Sequence, residues 1–385
     1  MASRKQARGQ GANKVSRMLM PKRKVGYVVV GLGHFAQDAI LPAFKNAKKN
    51  SKLVALVSGD PRKHRALGKR YGVPVHGYDQ YEECLALPDV DAVYIALPNS
   101  MHAEYTVRAA RAGAHVLCEK PLALDENQCM EMIRAAEDSD VKLMTAYRLH
   151  FESANLAAME AVRKGKIGEP RIFSSSFSFQ IQGPNIRIDR EAGGGVAWDI
   201  GVYCVNAARY LFRSEPEEVF AFISKGKDER FAETEEAVSA VMRFPEGRLA
   251  SFNVSFGAAS TAVYQLVGTK GSVRLDNAYD YKGKMSLEVQ TKGTKKRTLP
   301  SRDQIGPEIL YFSDCILNDK QVEPSGWEGL ADVRIIRALY ESAASGRPVR
   351  LAPFEKRQRP TEEQEQRRPP VKPPEMVNVA PPMEG

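Results

Sequence analysis

The chain has 385 residues, 43% of them apolar and 27% charged, with a formal net charge of +9 at pH 7; this is enough for two cores at about 100–200 residues per domain. No stretch approaches the ~18 uninterrupted apolar residues of a membrane span. Residues 1–24 carry eight basic residues and no acidic one, so the body is nearly neutral, which argues against a basic nucleic-acid-binding face.

That first segment predicts a disordered basic leader over 1–24. Its longest apolar run before Pro21 is Met18–Leu19–Met20, too short for a secretory signal. Cysteines at 84, 118, 129, 204 and 315 form no C-x-x-C and no paired spacing, so they read as reduced thiols of a cytoplasmic protein.

From Val25 onward, apolar strands alternate with helical patterns. "VGYVVVG" predicts a strand and "HFAQDAILPAFKNAKK" a helix; "KLVALVSG" is a second strand and "PRKHRALGKRYG" a short basic helix. "DAVYIALP", the helix "SMHAEYTVRAARAG", "AHVLCEKP", a helix over about 125–138 and "VKLMTAYR" complete the series. Strands apolar on both faces, separated by amphipathic helices, predict a doubly wound parallel sheet of the Rossmann type over 25–148. Ligands of such sheets sit beyond the carboxyl ends of the strands.

After Arg148 the period changes to two. Following the helix "ESANLAAMEAVRKGKIG", the segments "RIFSSSFSF", "EVFAFISK", "AVSAVMRF", "GRLASFNVSF", "AVYQLVG", "GSVRLD" and "MSLEVQ" predict a large, mostly antiparallel open sheet in an α+β domain over 149–350. "WEGLADVRIIRALYESAASG" reads as a final helix packing back. Residues 351–385, rich in proline and charge, predict a disordered tail.

The first strand exits into "GLGHFA", a G-x-G-x-x-A turn between strand and helix. Gly31, Leu32, Gly33, His34 and Phe35 would line a dinucleotide, with Gly33 admitting the pyrophosphate to the backbone and the helix N-terminus supplying N–H donors. The second strand ends in "VSGDPRKH". Its terminal residue is Ser58 rather than an acid, followed by Gly59, and Arg62 and Lys63 open the next helix within reach of a 2′-phosphate. This favours NADP over NAD. At the fourth exit Pro98 stops the strand, Asn99 offers a donor and an acceptor for the nicotinamide ribose, and His102 stands one turn further on. At the fifth exit the pair Glu119–Lys120 precedes a proline, which places the Lys120 ammonium at the same edge as the glycine turn. A metal is not called for, because no His, Cys and Asp cluster has ligand spacing.

"GLGHFA", "LPNSMHAE", "CEKPLA" and "AGGGVAWDIGVYCVNAARYLF" together resemble the glucose–fructose oxidoreductase/inositol dehydrogenase (Gfo/Idh/MocA) family over about residues 25–350, most closely its glucose–fructose group, although His34 stands where that group usually carries lysine. The resemblance implies that Lys120 contacts cofactor and substrate hydroxyl, that the Lys120–Pro121 bond is cis, that Asp199 and Tyr203 converge on one substrate hydroxyl from one helix face, and that Arg148 binds sugar oxygens. Hydride removal from a carbinol carbon also needs a proton acceptor. A tyrosine beside an ammonium or a desolvated lysine can serve, and the sequence leaves Tyr203 and Lys120 both open as the base.

The resulting expectation is an NADP-dependent oxidoreductase acting on an aldose or related polyol. Open beside it are a keto-sugar reductase or inositol-type dehydrogenase of the same family, and a non-catalytic NADP-binding regulator. Apolar residues such as Phe252, Val254 and Phe256 on the second sheet suggest a homodimer or homotetramer assembled through that sheet.

Overall fold

The computed structural model describes residues 23–356 and 358–382; nearly all of the expected leader lies outside them. Six strands form the first sheet: β1 (Val25–Val30), β2 (Ser51–Val57), β3 (Val75–His76), β4 (Ala92–Ile95), β5 (His115–Glu119) and β6 (Leu143–Ala146). Their order is β3-β2-β1-β4-β5-β6, with every pair parallel. The alternation of side chains along each strand explains the wholly apolar runs. Val28 and Val30 enter one core with Val93, Ile95 and Val116, whereas Tyr27 and Val29 enter the core on the opposite face.

The helix expected over 34–49 is present in two parts. A π-helical turn, Ala36–Ile40, leads into α1 (Leu41–Ala47). Pro42 has no N–H to donate into a regular ladder, and the Leu41 N–H reaches back to Ala36 O instead. Next come α2 (Pro61–Tyr71), α3 (Tyr81–Leu85), α4 (His102–Arg111) and α5 (Glu126–Asp138), with α6 (Ser153–Arg163) opening the second half.

The second sheet comprises β7 (Pro170–Ser178), β8 (Glu218–Ser224), β9 (Ala237–Phe244), β10 (Arg248–Ser255), β11 (Thr261–Gly268), β12 (Ser272–Asp276), β13 (Met285–Gln290), β14 (Thr294–Leu299) and β15 (Val349–Arg350). It runs β14-β13-β12-β11-β7-β10-β9-β8-β15, and β7 and β10 are its parallel pair. One face packs on α6, α7 (Val202–Phe212) and α9 (Gly326–Ser345). The short elements β3, α3 and β15 have no forecast in the sequence, and neither do two longer ones. β14 is an exposed edge strand of lysine, arginine and threonine without apolar alternation. α8 (Ile305–Leu317) is apolar on nearly every side and packs against the first sheet, where Ile309 and Phe312 share a core with Tyr27 and Phe44. Phe252, Val254 and Phe256, expected on the open face, point into the core; Ile172, Phe222, Val241, Leu249 and Val267 are the residues exposed there. No helix among the described residues is long and apolar enough to cross a membrane.

The expected disordered tail is the clearest difference. Residues 351–356 and 358–382 run mostly without regular structure against the body, and two of their charges have buried partners. Lys356 pairs with Glu323 at 2.6 Å and Glu328 at 2.5 Å, and Arg359 pairs with Glu215 at 2.6 Å. These carboxylates belong to a cluster in which the fully buried Arg209 also meets Glu215, Glu328 and Asp332. Without the two tail cations, Arg209 would face four buried carboxylates, with His150, 3.6 Å from Glu323, and the Tyr147 hydroxyl, 2.5 Å from Asp332, as titratable neighbours. Composition alone hides this, because the ion pairs form between distant parts of the chain.

Removing one partner of a buried ion pair typically costs about 3–5 kcal/mol. Lys356→Met and Arg359→Met are therefore each expected to lower the urea unfolding free energy by about 3 kcal/mol, while an exposed control, Lys372→Met, leaves it unchanged within error.

Candidate functional site

The site forms where the carboxyl ends of the first sheet meet the loop and helix that follow β7. β1 exits into the glycine turn. Gly31 has a φ of +90°, and a Cβ there would lie 2.3 Å from Ala96 O, so only glycine lets the two strand ends approach. At Gly33 a Cβ would meet nothing within 4 Å, which leaves open space at the start of the helix. Leu32 is buried, and its carbonyl accepts a hydrogen bond from Gln37 Nε2. His34 is half-buried, and burial pushes its pKa down against the pull of Asp38. Phe35 stands edge-on to Tyr281 of the second half at 5.5 Å.

At the end of β2, Ser58 is buried and its Oγ accepts from the Asp60 N–H. Gly59 lies against Tyr78. Asp60 caps α2 through a hydrogen bond from the Arg62 N–H, 2.9 Å. The Arg62 side chain is 65% exposed and 3.6 Å from Asp60. Lys63 is partly buried, has no ion pair within 4.0 Å among the described residues, and has its pKa lowered by desolvation. An underpaired ammonium and an exposed guanidinium beside a non-acidic strand end form a basic corner that suits a ribose 2′-phosphate.

At the fourth exit the structure departs from expectation. Pro98 leads into the turn Asn99–Met101, but the Asn99 amide donates to Gly193 O at 2.9 Å, tying the two halves together. His102 does not face the cleft. It is fully buried, and its ring nitrogens lie 2.8 Å from Pro121 O and 3.0 Å from Leu97 O. Helical spacing turned its side chain beneath the strand ends, where burial pushes its pKa down, and it braces the chain just after Lys120.

Lys120 is the centre of the site. Its Nζ donates to Asp199 O at 2.7 Å and to Asp199 Oδ1 at 3.1 Å, and the Lys120–Pro121 peptide is cis. Asp199 stands in a π-helical turn, Ala197–Gly201, just before α7. Its other oxygen, Oδ2, accepts from Arg187 Nε at 2.8 Å. Burial raises the Asp199 pKa, but the charges of Lys120 and Arg187 outweigh it and the carboxyl stays below its usual value. For Lys120, burial lowers the pKa, but Asp199, Tyr203 and Glu119 outweigh it and hold the group above its usual value. Lys120 is therefore an ammonium at neutral pH. An ammonium has three donors, and two are engaged by Asp199.

Tyr203 lies one helical turn beyond Asp199. Two cations lie over its ring, Lys120 Nζ 4.7 Å and Arg148 Cζ 5.0 Å from the centroid, and its hydroxyl makes no hydrogen bond among the described residues. Arg148 is buried, and its terminal nitrogens donate to Gln304 Oε1 and Tyr279 O, while its Nε has no partner. Both of these hydrogen bonds join the two halves. Below Lys120, Glu119 accepts from Tyr94 OH at 2.8 Å, and Tyr94 also reaches Glu308 at 3.3 Å. Burial pushes both carboxyls up.

Sequence reasoning missed Arg187, Glu308 and the Tyr279–Tyr281 segment. Arg187 had one signal: the connection from β7 to the π-turn, residues 179–196, is longer than the usual structureless loop of at most about 12–15 residues, and such loops tend to be functional. Glu308 had none, because nothing in the sequence placed α8 beneath Glu119. No group of three or more His, Cys, Asp or Glu able to hold a metal stands among the described residues.

Comparison with known proteins gives this geometry its context. Residues 25–147 match the family described as "Oxidoreductase family, NAD-binding Rossmann fold", and residues 155–274 match the "GFO/IDH/MocA C-terminal domain". The chain is 30% identical over 329 residues to a D-xylose 1-dehydrogenase (NADP(+)) of Haloferax volcanii, covering 84% of this chain and 98% of that protein. In structure it is similar to aldose-aldose oxidoreductase from Caulobacter crescentus complexed with glycerol, with a TM-score of 0.82 and 38% identity over 86% of this chain and 100% of that one. It is also similar to KijD10, a 3-ketoreductase from Actinomadura kijaniata in complex with NADP and TDP-benzene, with a TM-score of 0.76 and 26% identity over 83% and 98% of the two chains.

Replacing Asp199 by asparagine leaves the desolvation of Lys120 and the repulsion of Arg187 without their main counterweight, so the Lys120 pKa falls. The alkaline side of the kcat/KM profile of Asp199→Asn is expected to move to lower pH. A profile superimposable on that of the unsubstituted protein would contradict the assignment of Asp199 as the group that holds Lys120 charged.

Proposed function

The chain belongs to the GFO/IDH/MocA oxidoreductase family, and from that premise we propose that it is an NADP-dependent dehydrogenase of an aldose or closely related polyol. The observation that carries the proposal is the pairing of one uncommitted Lys120 N–H with a free Tyr203 hydroxyl at the ligand edge. Both can meet the same substrate hydroxyl.

Gly31, Leu32, Gly33, His34 and Phe35 would hold the pyrophosphate side of the cofactor, Ser58, Gly59, Arg62 and Lys63 its adenosine ribose, and Pro98 and Glu119 the nicotinamide end. Bound there, NADP supplies the hydride acceptor. The open space at Gly33 and the underpaired Lys63 fit it. The protein's own groups manage the proton. Lys120, already an ammonium, cannot accept one; it donates a hydrogen bond to the substrate oxygen and favours negative charge as it develops there. In its phenolate form Tyr203 is then the proton acceptor and becomes the phenol as the substrate hydroxyl is oxidised, one helical turn from the carboxylate that holds Lys120 in place. Asp199 acts as the orienting partner rather than as the base, because both its oxygens are engaged. The Arg148 Nε remains for a sugar oxygen.

Kinship to an NADP-linked xylose dehydrogenase and an aldose-aldose oxidoreductase supports the substrate class. The exposed row Ile172, Phe222, Val241, Leu249 and Val267 on the open sheet suits a self-complementary contact, and the proposal includes a homodimer, or a homotetramer built on the same face. Five free, buried cysteines suit a reducing compartment, in keeping with a cytoplasmic location.

The direct test is the near-ultraviolet absorbance of the protein with NADP⁺ on adding D-glucose or D-xylose. A rise is expected, with Lys120→Met lowering kcat/KM by about 10³-fold while NADPH still binds. No rise with any aldose would overturn the substrate assignment. Phe222→Glu is expected to reduce the mass measured by light scattering to that of the protomer; an unchanged mass would exclude this face as the interface.

A further inference from the structure

The end of the chain crosses the cleft. Beyond the buried anchors at Lys356 and Arg359, Gln364 Nε2 donates to Glu323 O at 2.8 Å, and Pro369 O accepts from Asn46 at 2.9 Å. The chain then reaches the ligand edge of the first sheet. Glu375 O accepts from Arg70 at 2.6 Å. Val377 pairs through both its backbone groups with the buried Gln37 side chain, at 2.8 and 2.9 Å. Gln37 is itself one turn beyond the glycine loop, since its N–H donates to Gly33 O. Asn378 Nδ2 donates to Asp60 Oδ2, three residues past the end of β2.

At Asn378 the backbone takes a left-handed φ of +47°, which asparagine adopts more readily than most residues. The chain turns there and leaves the first domain. Four residues later Pro382 O accepts from the Gln182 N–H at 3.1 Å, in the loop that carries Arg187 to Asp199. Four residues can span at most about 14 Å. The strap therefore runs from the corner at Asp60 to the substrate loop, over the opening between the two halves.

We infer that residues 375–382 are part of the cofactor site, a strap that retains bound dinucleotide and, through Asn378, withholds Asp60 from the ribose 2′-position. The inference rests on the dinucleotide reading above. Its specificity element is geometric. One Asp60 oxygen accepts from the Arg62 N–H and the other from Asn378, so both are already engaged, with Asn378 beside the carboxylate in competition with a ribose 2′-hydroxyl, the contact that favours NAD. The hydrogen bonds from Asn378 and Arg62 also keep the Asp60 pKa below its usual value, so the group stays a carboxylate. The strap is fixed at its start by buried ion pairs and at its end by hydrogen bonds to Arg70, Gln37, Asp60 and Gln182 without an ion pair among the described residues. It can thus open at the end without disturbing the fold.

The test uses a chain ended after Pro370, which keeps Lys356, Arg359, Gln364 and Pro369, and a full-length Asn378→Gly variant, which keeps the left-handed turn and removes the amide. NADPH release is followed by fluorescence on dilution into excess NADP⁺, and NAD⁺ and NADP⁺ affinities are measured by titration. Release is expected to accelerate at least tenfold on truncation. Asn378→Gly is expected to bind NAD⁺ about fivefold more tightly relative to NADP⁺. Release at the same rate or more slowly without the strap, in a protein whose full-length form binds NADPH, overturns the strap alone. An unchanged NAD⁺ to NADP⁺ ratio in Asn378→Gly overturns the role of Asn378. A full-length chain that binds no NADPH overturns both this inference and the proposed function.

Discussion

The ion pair between Lys120 and Asp199 is the contact on which the site depends. It joins the last residue region of a parallel strand to a π-helical turn in the other half of the chain, and it does so twice, through the Asp199 carbonyl and one carboxylate oxygen. Removing two charges from water is costly, and an ion pair offsets that only with good geometry and extra hydrogen bonds. Arg187 on the remaining oxygen supplies the extra hydrogen bond. The result is a lysine with a fixed direction, a fixed charge and one hydrogen left for a ligand. The cis peptide that follows it is packed over His102, whose ring is buried against Pro121.

The same economy of polar contacts holds the two halves in register. Asp38, just after the glycine turn, meets Lys282 and Tyr281 OH. Arg148 meets Gln304 and Tyr279, and Asn99 meets Gly193. Each of these contacts joins a carboxyl-end loop of the first sheet to a segment of the second half. Away from the cleft the two halves share apolar cores through α8 and α9, so these polar contacts set the register of the cleft rim rather than holding the halves together alone.

Much of this was legible in the sequence wherever a local pattern had a local cause. Apolar runs bounded by glycine marked strands buried on both faces, and the strand exits pointed to Gly31, Ser58 and Lys120 because ligands of such sheets bind there. What escaped was set by contacts between distant residues. His102 was taken for a cleft residue on proximity in sequence, whereas its place on the helix turns it inward. Arg187 gains its meaning from Asp199, twelve positions on and across a loop of no regular structure. α8 showed no amphipathic period because it is covered almost all round. The tail read as disordered because its apolar content is low, but Lys356 and Arg359 complete a buried charge cluster that no composition measure registers.

The central claim is that Tyr203 takes the proton while Lys120, held charged by Asp199, orients the substrate oxygen. The most direct measurement is single-turnover hydride transfer with a C1-deuterated aldose and saturating NADP⁺, comparing the protein with Tyr203→Phe. The account predicts a fall in the transfer rate of about 10²-fold or more, a full primary isotope effect in the variant and unchanged NADP⁺ affinity. Transfer by Tyr203→Phe at the rate of the unsubstituted protein would contradict it and return the role of base to another group.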